Sequence, residues 1–222
     1  MKVLSLVSQK GGVGKTTLAT ALAVAAHQDG KRPVLIDLDP QASASFWMDT
    51  RQDDSLAVSA IPASRLPHVL KAAAEAGAEL AIIDTPPFAK DIAYEAVERA
   101  DFVLIPTRPA VLDVMAMTRT LDLIKTFQRQ AAVVLTFCPP AGKEIEDTEA
   151  AVRALDAELC PVRIGARIAY SRAQQSGLTA QELDPDGKAA AEIGALYGYT
   201  RRYLYQEESH ERQDPKRHAG RS

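Results

Sequence analysis

The chain has 222 residues, 46% hydrophobic and 25% charged, with 26 Lys/Arg against 29 Asp/Glu and a formal net charge of −3. That length is enough to bury a sizeable core, and the composition is ordinary for a globular fold in water. The charge argues against a strongly basic nucleic-acid binder, and no apolar run is long enough for a membrane span or an N-terminal signal peptide.

In chain order, an apolar run "KVLSLVS" from Lys2 leads into the glycine-rich "QKGGVGKTT" and a helical stretch from Lys15 to Asp29. A second apolar run, "PVLIDL", follows, then helical patterns at Ser64 to Ala76, Asp91 to Arg99 and Val111 to Arg129, interleaved with "LAIIDT", "FVLIPT" and "AVVLTF". Near-continuous Val/Ile/Leu strands separated by helices predict a mostly parallel sheet covered on both faces, a doubly wound α/β fold. No repeat or interdomain linker interrupts the pattern, so residues 1–205 read as one domain. The last stretch, 206–222, "QEESHERQDPKRHAGRS", lacks large apolar residues and reads as a disordered charged tail.

Three strands end in the same way. "VLIDLDPQ", "AIIDTPP" and "VLIPTRP" each run into Asp or Thr and then proline, which cannot continue a central strand. Ligands of open α/β sheets bind beyond the carboxyl ends of the strands. Asp37, Asp39 and Asp84 are therefore expected on one edge with the glycine-rich loop. Asp37 and Asp39 lie two residues apart, so an extended strand end would point both to one face. Either could instead cap a turn before Pro40.

The loop itself departs from the phosphate-loop pattern G-x-x-x-x-G-K-[ST]. Aligned on Gly14, Lys15 and Thr16, the first glycine falls on Gln9, and Lys10 follows. Gly11, Gly12, Val13 and Gly14 can still turn backbone N–H groups around phosphate oxygens, aided by the N-terminus of the helix that begins near Lys15. Lys15 would reach the β- and γ-phosphates, Thr16 would join a Mg²⁺ shell, and Thr17 could add a hydroxyl on the α-phosphate side.

"KGGVGKTT" resembles the deviant Walker A motif of the ParA/MinD group of ATPases. "VLIDLDPQASAS" is similar to that group's switch region, "AIIDTPP" to its Walker B, and "RIGARIAYSRAQQSGLTAQELDPDGKAAAEIGALYGY" to the C-terminal part of partition ATPases. The likeness spans Met1 to Tyr199. It implies an ATP- and Mg²⁺-dependent ATPase in which two protomers face each other and Lys10 reaches the partner's phosphates. It implies that Asp84 holds Mg²⁺ through water, that Asp37 supports the same shell, and that Asp39 positions or activates the attacking water. Lys10, Lys15 and Asp39 form the implied catalytic set. One departure is "FCPPAGK", where many relatives carry Asn or Asp near the adenine.

Within the group, the polar tail offers no amphipathic membrane anchor. Cys138 and Cys160 fit no paired-thiol or metal arrangement, in keeping with a reducing cytoplasm. Tyr197, Tyr199, Tyr203 and Tyr205 give some footing to a tyrosine-kinase-like relative, but helix-spaced tyrosines more often pack, and "DLDPQ" differs from the kinase pattern. With the first strand at Lys2, no operator-reading helix-turn-helix is expected ahead of it. The resemblance implies a small partition ATPase, nucleoid-associated in the cytoplasm. It would bind DNA non-specifically as an ATP dimer and be stimulated by a ParB-like centromere-binding partner. Candidate DNA contacts are Arg163, Arg167, Arg172, Lys188, Arg201 and Arg202, in a segment from Pro161 onward with 10 Lys/Arg against 8 Asp/Glu. The alternatives are a positioner of a non-DNA protein cargo and a MinD-like regulator. Trp47 and Met48, just after the switch, are expected in the core rather than facing a partner.

Overall fold

The computed structural model describes residues 1–205, so the expected tail at 206–222 lies outside the described residues. Seven strands form one all-parallel sheet: β1 (Lys2–Leu6), β2 (Pro33–Asp37), β3 (Ala57–Ala60), β4 (Leu80–Asp84), β5 (Phe102–Thr107), β6 (Gln130–Cys138) and β7 (Leu159–Gly165), in the order β3-β2-β4-β1-β5-β6-β7. β1 sits between β4 and β5, so the chain builds outward from it in both directions. The loop after β1 therefore opens at the point where the winding reverses, the usual ligand position of such sheets.

Side-chain alternation explains the two layers. Val3, Val34, Ile36, Ala81, Ile83, Val103, Ile105, Val133 and Leu135 point into one core, while Leu4, Leu6, Leu35, Leu80, Ile82, Phe102, Leu104 and Val134 point into the other. Both faces are apolar because both are covered. Helices α3 (Leu66–Glu75), α4 (Lys90–Glu98), α5 (Val111–Phe127) and α6 (Lys143–Ala154) pack on the first face through Leu66, Leu70, Ala96, Val97, Met117, Leu121, Ile145 and Val152. Helices α1 (Lys15–Gln28) and α9 (Lys188–Tyr205) cover the second through Leu18, Leu22, Ile193, Leu196 and Leu204.

Helix α1 is alanine-rich and buried along nearly its whole length, and Gly30, at φ 76, ends it in the left-handed conformation that favours glycine. Three short α-helices, α2 (Ser43–Thr50), α7 (Ile168–Gln175) and α8 (Ala180–Leu183), and a 3₁₀ turn at Ala63–Arg65 complete the described chain.

Two strands go beyond the five apolar runs read from the sequence. β3 has only four half-exposed residues, and β7 carries Pro161 and Arg163. Both are edge strands, where one face or one hydrogen-bonding side meets solvent and where proline is tolerated, so neither has a buried strand's apolar run. The tyrosines of α9 pack as expected. Tyr197 and Tyr199 are buried, Tyr197 donates to Asp29, and Phe102 stacks on Tyr203 with centroids 4.5 Å apart.

Candidate active site

The glycine-rich loop joins β1 to α1. Gly12 and Gly14 have φ 68 and 87, so the turn needs residues without a Cβ penalty at both places. Gly14 is also the N-cap of α1, and no side chain caps the helix. The first N–H groups of α1 are thereby left for a ligand, with the helix dipole behind them.

Lys15 is buried at 6% exposure, and its Nζ donates to the carbonyls of Ser8, at 3.3 Å, and Lys10, at 3.0 Å. Desolvation lowers its pKa, and the charges of Asp84 and Asp39 work against that. Thr16 donates its hydroxyl to Asp84 Oδ2 at 2.5 Å. Gly11, Gly12, Gly14, Lys15, Thr16, Thr17 and Asp39 line one cavity of about 730 Å³, with Gln41, Ser43, Thr85 and Phe137 among its other walls.

The carboxylates divide into different tasks. Asp37 and Asp84 are register partners at the ends of adjacent strands, and both are buried. Asp37 spends its oxygens on backbone: Oδ1 accepts the Asp39 N–H and Oδ2 the Ala44 N–H, each at 2.9 Å. It thus caps α2, whose own N-cap residue, Ala42, has no side chain able to do so. Burial raises the pKa of Asp37, and those N–H groups pull it back. Asp39 lines the cavity while its Oδ1 accepts the Gln41 N–H at 2.9 Å. Of the two arrangements the sequence left open, the turn-capping one is therefore present.

Asp84 differs from both. Its Oδ1 is buried with no hydrogen-bond partner, and burial pushes its pKa up to about 7 despite the Thr16 hydroxyl and the Lys15 charge. An orphaned carboxylate oxygen beside a threonine hydroxyl fits a cation held partly by water and phosphate oxygens, the way Mg²⁺ is usually bound. Among the described residues, no group of three or more His, Cys, Asp or Glu could hold a metal by itself. Thr16 and Asp84 would hold the ion, with Asp37 keeping the neighbouring turn in place.

Lys10 stands apart. Its carbonyl serves Lys15, it does not line that cavity, and its ammonium pairs with Asp113 in the first turn of α5 at 3.8 Å. Next to Asp113, Val111, Leu112 and Met115 are 77%, 67% and 63% exposed.

A second cavity of about 190 Å³ adjoins the loop helix, lined by Gly14, Thr17, Leu18, Thr136, Phe137, Ile164, Tyr170 and Gln174 among others. Gln174 Nε2 donates to Thr17 Oγ1 at 3.0 Å. Sequence reasoning did not single out Gln174, Tyr170 or Ile164. Their signal lay in "RIGARIAYSRAQQ", which carries them on β7 and α7. Arg108 and Phe137, which flank the loop, were also missed.

Three of the six candidate basic residues are ion-paired within the described chain. Arg163 pairs with Glu149 at 2.5 Å, Arg167 with Glu192 at 2.6 Å and Arg201 with Asp29 at 3.0 Å. Arg167 also lines the second cavity. The Arg202 guanidinium lies over the Tyr199 ring at 5.5 Å. Arg172 and Lys188 are exposed. A rise of 1.5 Å per residue puts Lys188 and Arg202 roughly 20 Å apart along α9. Trp47 is buried, as expected, and its Nε1 donates to the Leu178 carbonyl at 3.1 Å.

An uncapped helix N-terminus, a buried lysine and carboxylates at the carboxyl edge of a parallel sheet define a P-loop nucleotide-binding protein. The model of the CobQ/CobB/MinD/ParA nucleotide binding domain matches residues 4–180, and the chain belongs to that family, in its ParA/MinD group of ATPases. It is 34% identical over 200 residues to the maintenance of carboxysome distribution protein A of Gloeobacter kilaueensis, across 88% of this chain and 90% of that one. It is 30% identical over 187 residues to Protein ParA of Rhizobium radiobacter, across 80% and 84%. Among solved structures, the septum site-determining protein MinD of Pyrococcus horikoshii, complexed with Mg-ADP, superposes with a TM-score of 0.76 at 18% identity. That superposition covers 93% of this chain and 98% of that one, and at this identity it speaks to the fold.

Proposed function

We propose that this protein is an ATP-driven positioning ATPase, one P-loop domain over residues 1–205 that dimerises on ATP, binds DNA non-specifically and moves a cargo along it. The observation that carries this reading is the placement of Lys10. A lysine in the phosphate loop that does not line the loop's own cavity, and whose ammonium pairs with Asp113 where the chain neighbours Val111, Leu112 and Met115 are exposed, is suited to a nucleotide held by a second copy. A cation reaching a triphosphate across an interface makes that interface depend on the γ-phosphate.

In this reading the loop N–H groups and Lys15 bind the phosphates, and Asp39 orients the attacking water. Thr16 and Asp84 hold Mg²⁺, which when bound neutralises charge on the phosphate oxygens. Hydrolysis to ADP and phosphate removes the group that Lys10 reaches for, and the dimer parts. Among the described residues, Arg172, Lys188 and Arg202 are the candidate DNA contacts for which no acidic partner is seen.

Two cargo readings stand. A replicon carried with a ParB-like partner is supported by the likeness to Protein ParA. A protein assembly is supported by the likeness to the carboxysome distribution protein. The test of the shared mechanism is binding to random-sequence duplex DNA with ATP, ADP and no nucleotide at two salt concentrations. Binding is expected with ATP only and should weaken with salt, log K falling by about 0.9 per phosphate contact for each unit of log salt. Equal binding in all three nucleotide states, or none in any, would remove DNA as the track.

A further inference from the structure

Arg108 follows β5 at its carboxyl end and plays no part in the phosphate-loop motif. Its guanidinium donates through Nη2 to the carbonyl of Gly12. The same group lies over the Phe137 ring, 4.5 Å from its centroid, and its Nε is buried without a hydrogen-bond partner. Phe137, near the end of β6, has φ 53, a conformation that a bulky aromatic seldom adopts. It is 46% exposed and sits between Leu135 and Cys138, where β6 shifts register against β7, so a bulge rather than core packing sets that backbone. Such strain persists where the surroundings hold it in place, often beside a functional site.

The pair closes on the two loop glycines that have positive φ. A Cβ built on Gly12 would meet Arg108 Nη2 at 3.1 Å, and one on Gly14 would meet Phe137 Cε2 at 3.4 Å. Arg108, just beyond β5, and Phe137, within the adjacent β6, grip the loop at positions two residues apart.

We propose that Arg108, stacked on Phe137, is a positioning residue that presets the phosphate loop for its ligand. In a planar trans peptide, C=O and N–H point in opposite directions. Holding the Gly12 carbonyl on Arg108 turns the N–H of the same peptide, that of Val13, to the side away from the guanidinium. A carbonyl turned toward a phosphate would repel it, whereas a fixed N–H attracts it without reorganisation. The aromatic face keeps the guanidinium in place, an arrangement that suits a planar cation better than an ammonium. The inference rests on the loop being the nucleotide site.

The experiment is calorimetric titration of Mg-ADP and of AMP, which lacks the β-phosphate, into wild type, Arg108→Met, Arg108→Lys, Phe137→Leu and the Arg108→Met/Phe137→Leu double variant. Arg108→Met should weaken ADP at least about tenfold, the scale of a lost charge-assisted hydrogen bond, and leave AMP within about twofold. Arg108→Lys should recover part of the loss. The double variant should bind ADP no more weakly than Arg108→Met, because the two side chains act as one unit. Unchanged ADP affinity, equal losses for ADP and AMP, or additive losses would each overturn the brace. A wild-type protein that bound no ADP would overturn the nucleotide site itself, and the brace with it.

Discussion

Asp37, Asp39 and Asp84 show how one residue type is given three tasks by its surroundings. Asp37 is consumed by two backbone N–H groups, Asp84 keeps an oxygen without a partner, and Asp39 faces the cavity from a turn it helps to close. Asp39→Ala leaves the loop, Lys15 and the Thr16–Asp84 pair intact. It is therefore expected to retain ATP binding while losing at least about a hundredfold in turnover, the scale of a misplaced or unactivated nucleophile. Phosphate release in a single-turnover assay checks this, and near-normal release would take Asp39 out of the chemistry. These tasks were only partly legible in the sequence. The motifs placed all three carboxylates on one edge, but which oxygen meets which N–H depends on the turn at Pro40 to Ser43, and spacing alone left two arrangements open.

At the scale of elements, helix α2 is tied at both ends. Asp37 holds its N-terminus. At its C-terminus Arg51, with a side chain 6% exposed, bonds to both Glu182 oxygens at 2.5 and 2.9 Å, and to the Gly177 carbonyl. Glu182 also completes the capping box of α8 with Thr179. The strand end at "DLDPQ" is thus linked through α2 to the segment between α7 and α9. Removing one partner of this part-buried, hydrogen-bonded ion pair leaves Glu182 with only its bonds from Thr179, so Arg51→Ala should cost about 2 kcal/mol. In a chain of this size that corresponds to a fall in thermal midpoint of roughly 4 to 8 °C.

The pH dependence has a definite sign. Burial alone would raise Glu182, but the hydrogen bonds from Arg51 and Thr179 outweigh it and hold the carboxyl below the ordinary glutamate value of 4.5. The unfolded chain then binds the proton more tightly than the folded one. The pair's contribution is complete above about pH 4.5 and is lost as the pH falls through the depressed value. Thermal melts between pH 3 and pH 7 should show Arg51→Ala and wild type converging on the acid side, and a constant difference across that range would contradict this assignment. The Arg51–Glu182 pairing was not legible in the sequence, because the two lie 131 positions apart; the T-x-x-E spacing of Thr179 and Glu182 marks a local capping box and says nothing of Arg51.

For the whole molecule, the parallel sheet and the position of its site were legible because buried central strands must be apolar throughout and proline marks their ends. The edge strands β3 and β7 were not, since an edge relaxes both requirements. The basic residues were least legible. Arg163, Arg167 and Arg201 find their acidic partners 14, 25 and 172 positions away, so no local pattern reveals that each already has a neighbour.

In the proposed dimer Lys10, which pairs with Asp113 in the single chain, reaches the ATP of a second copy. Sedimentation velocity with ATP, ADP and no nucleotide, on wild type and Lys10→Ala, tests this most directly. Wild type should dimerise with ATP alone, and Lys10→Ala should still bind ATP yet remain a monomer. A Lys10→Ala protein that dimerised on ATP as readily as wild type would contradict the account.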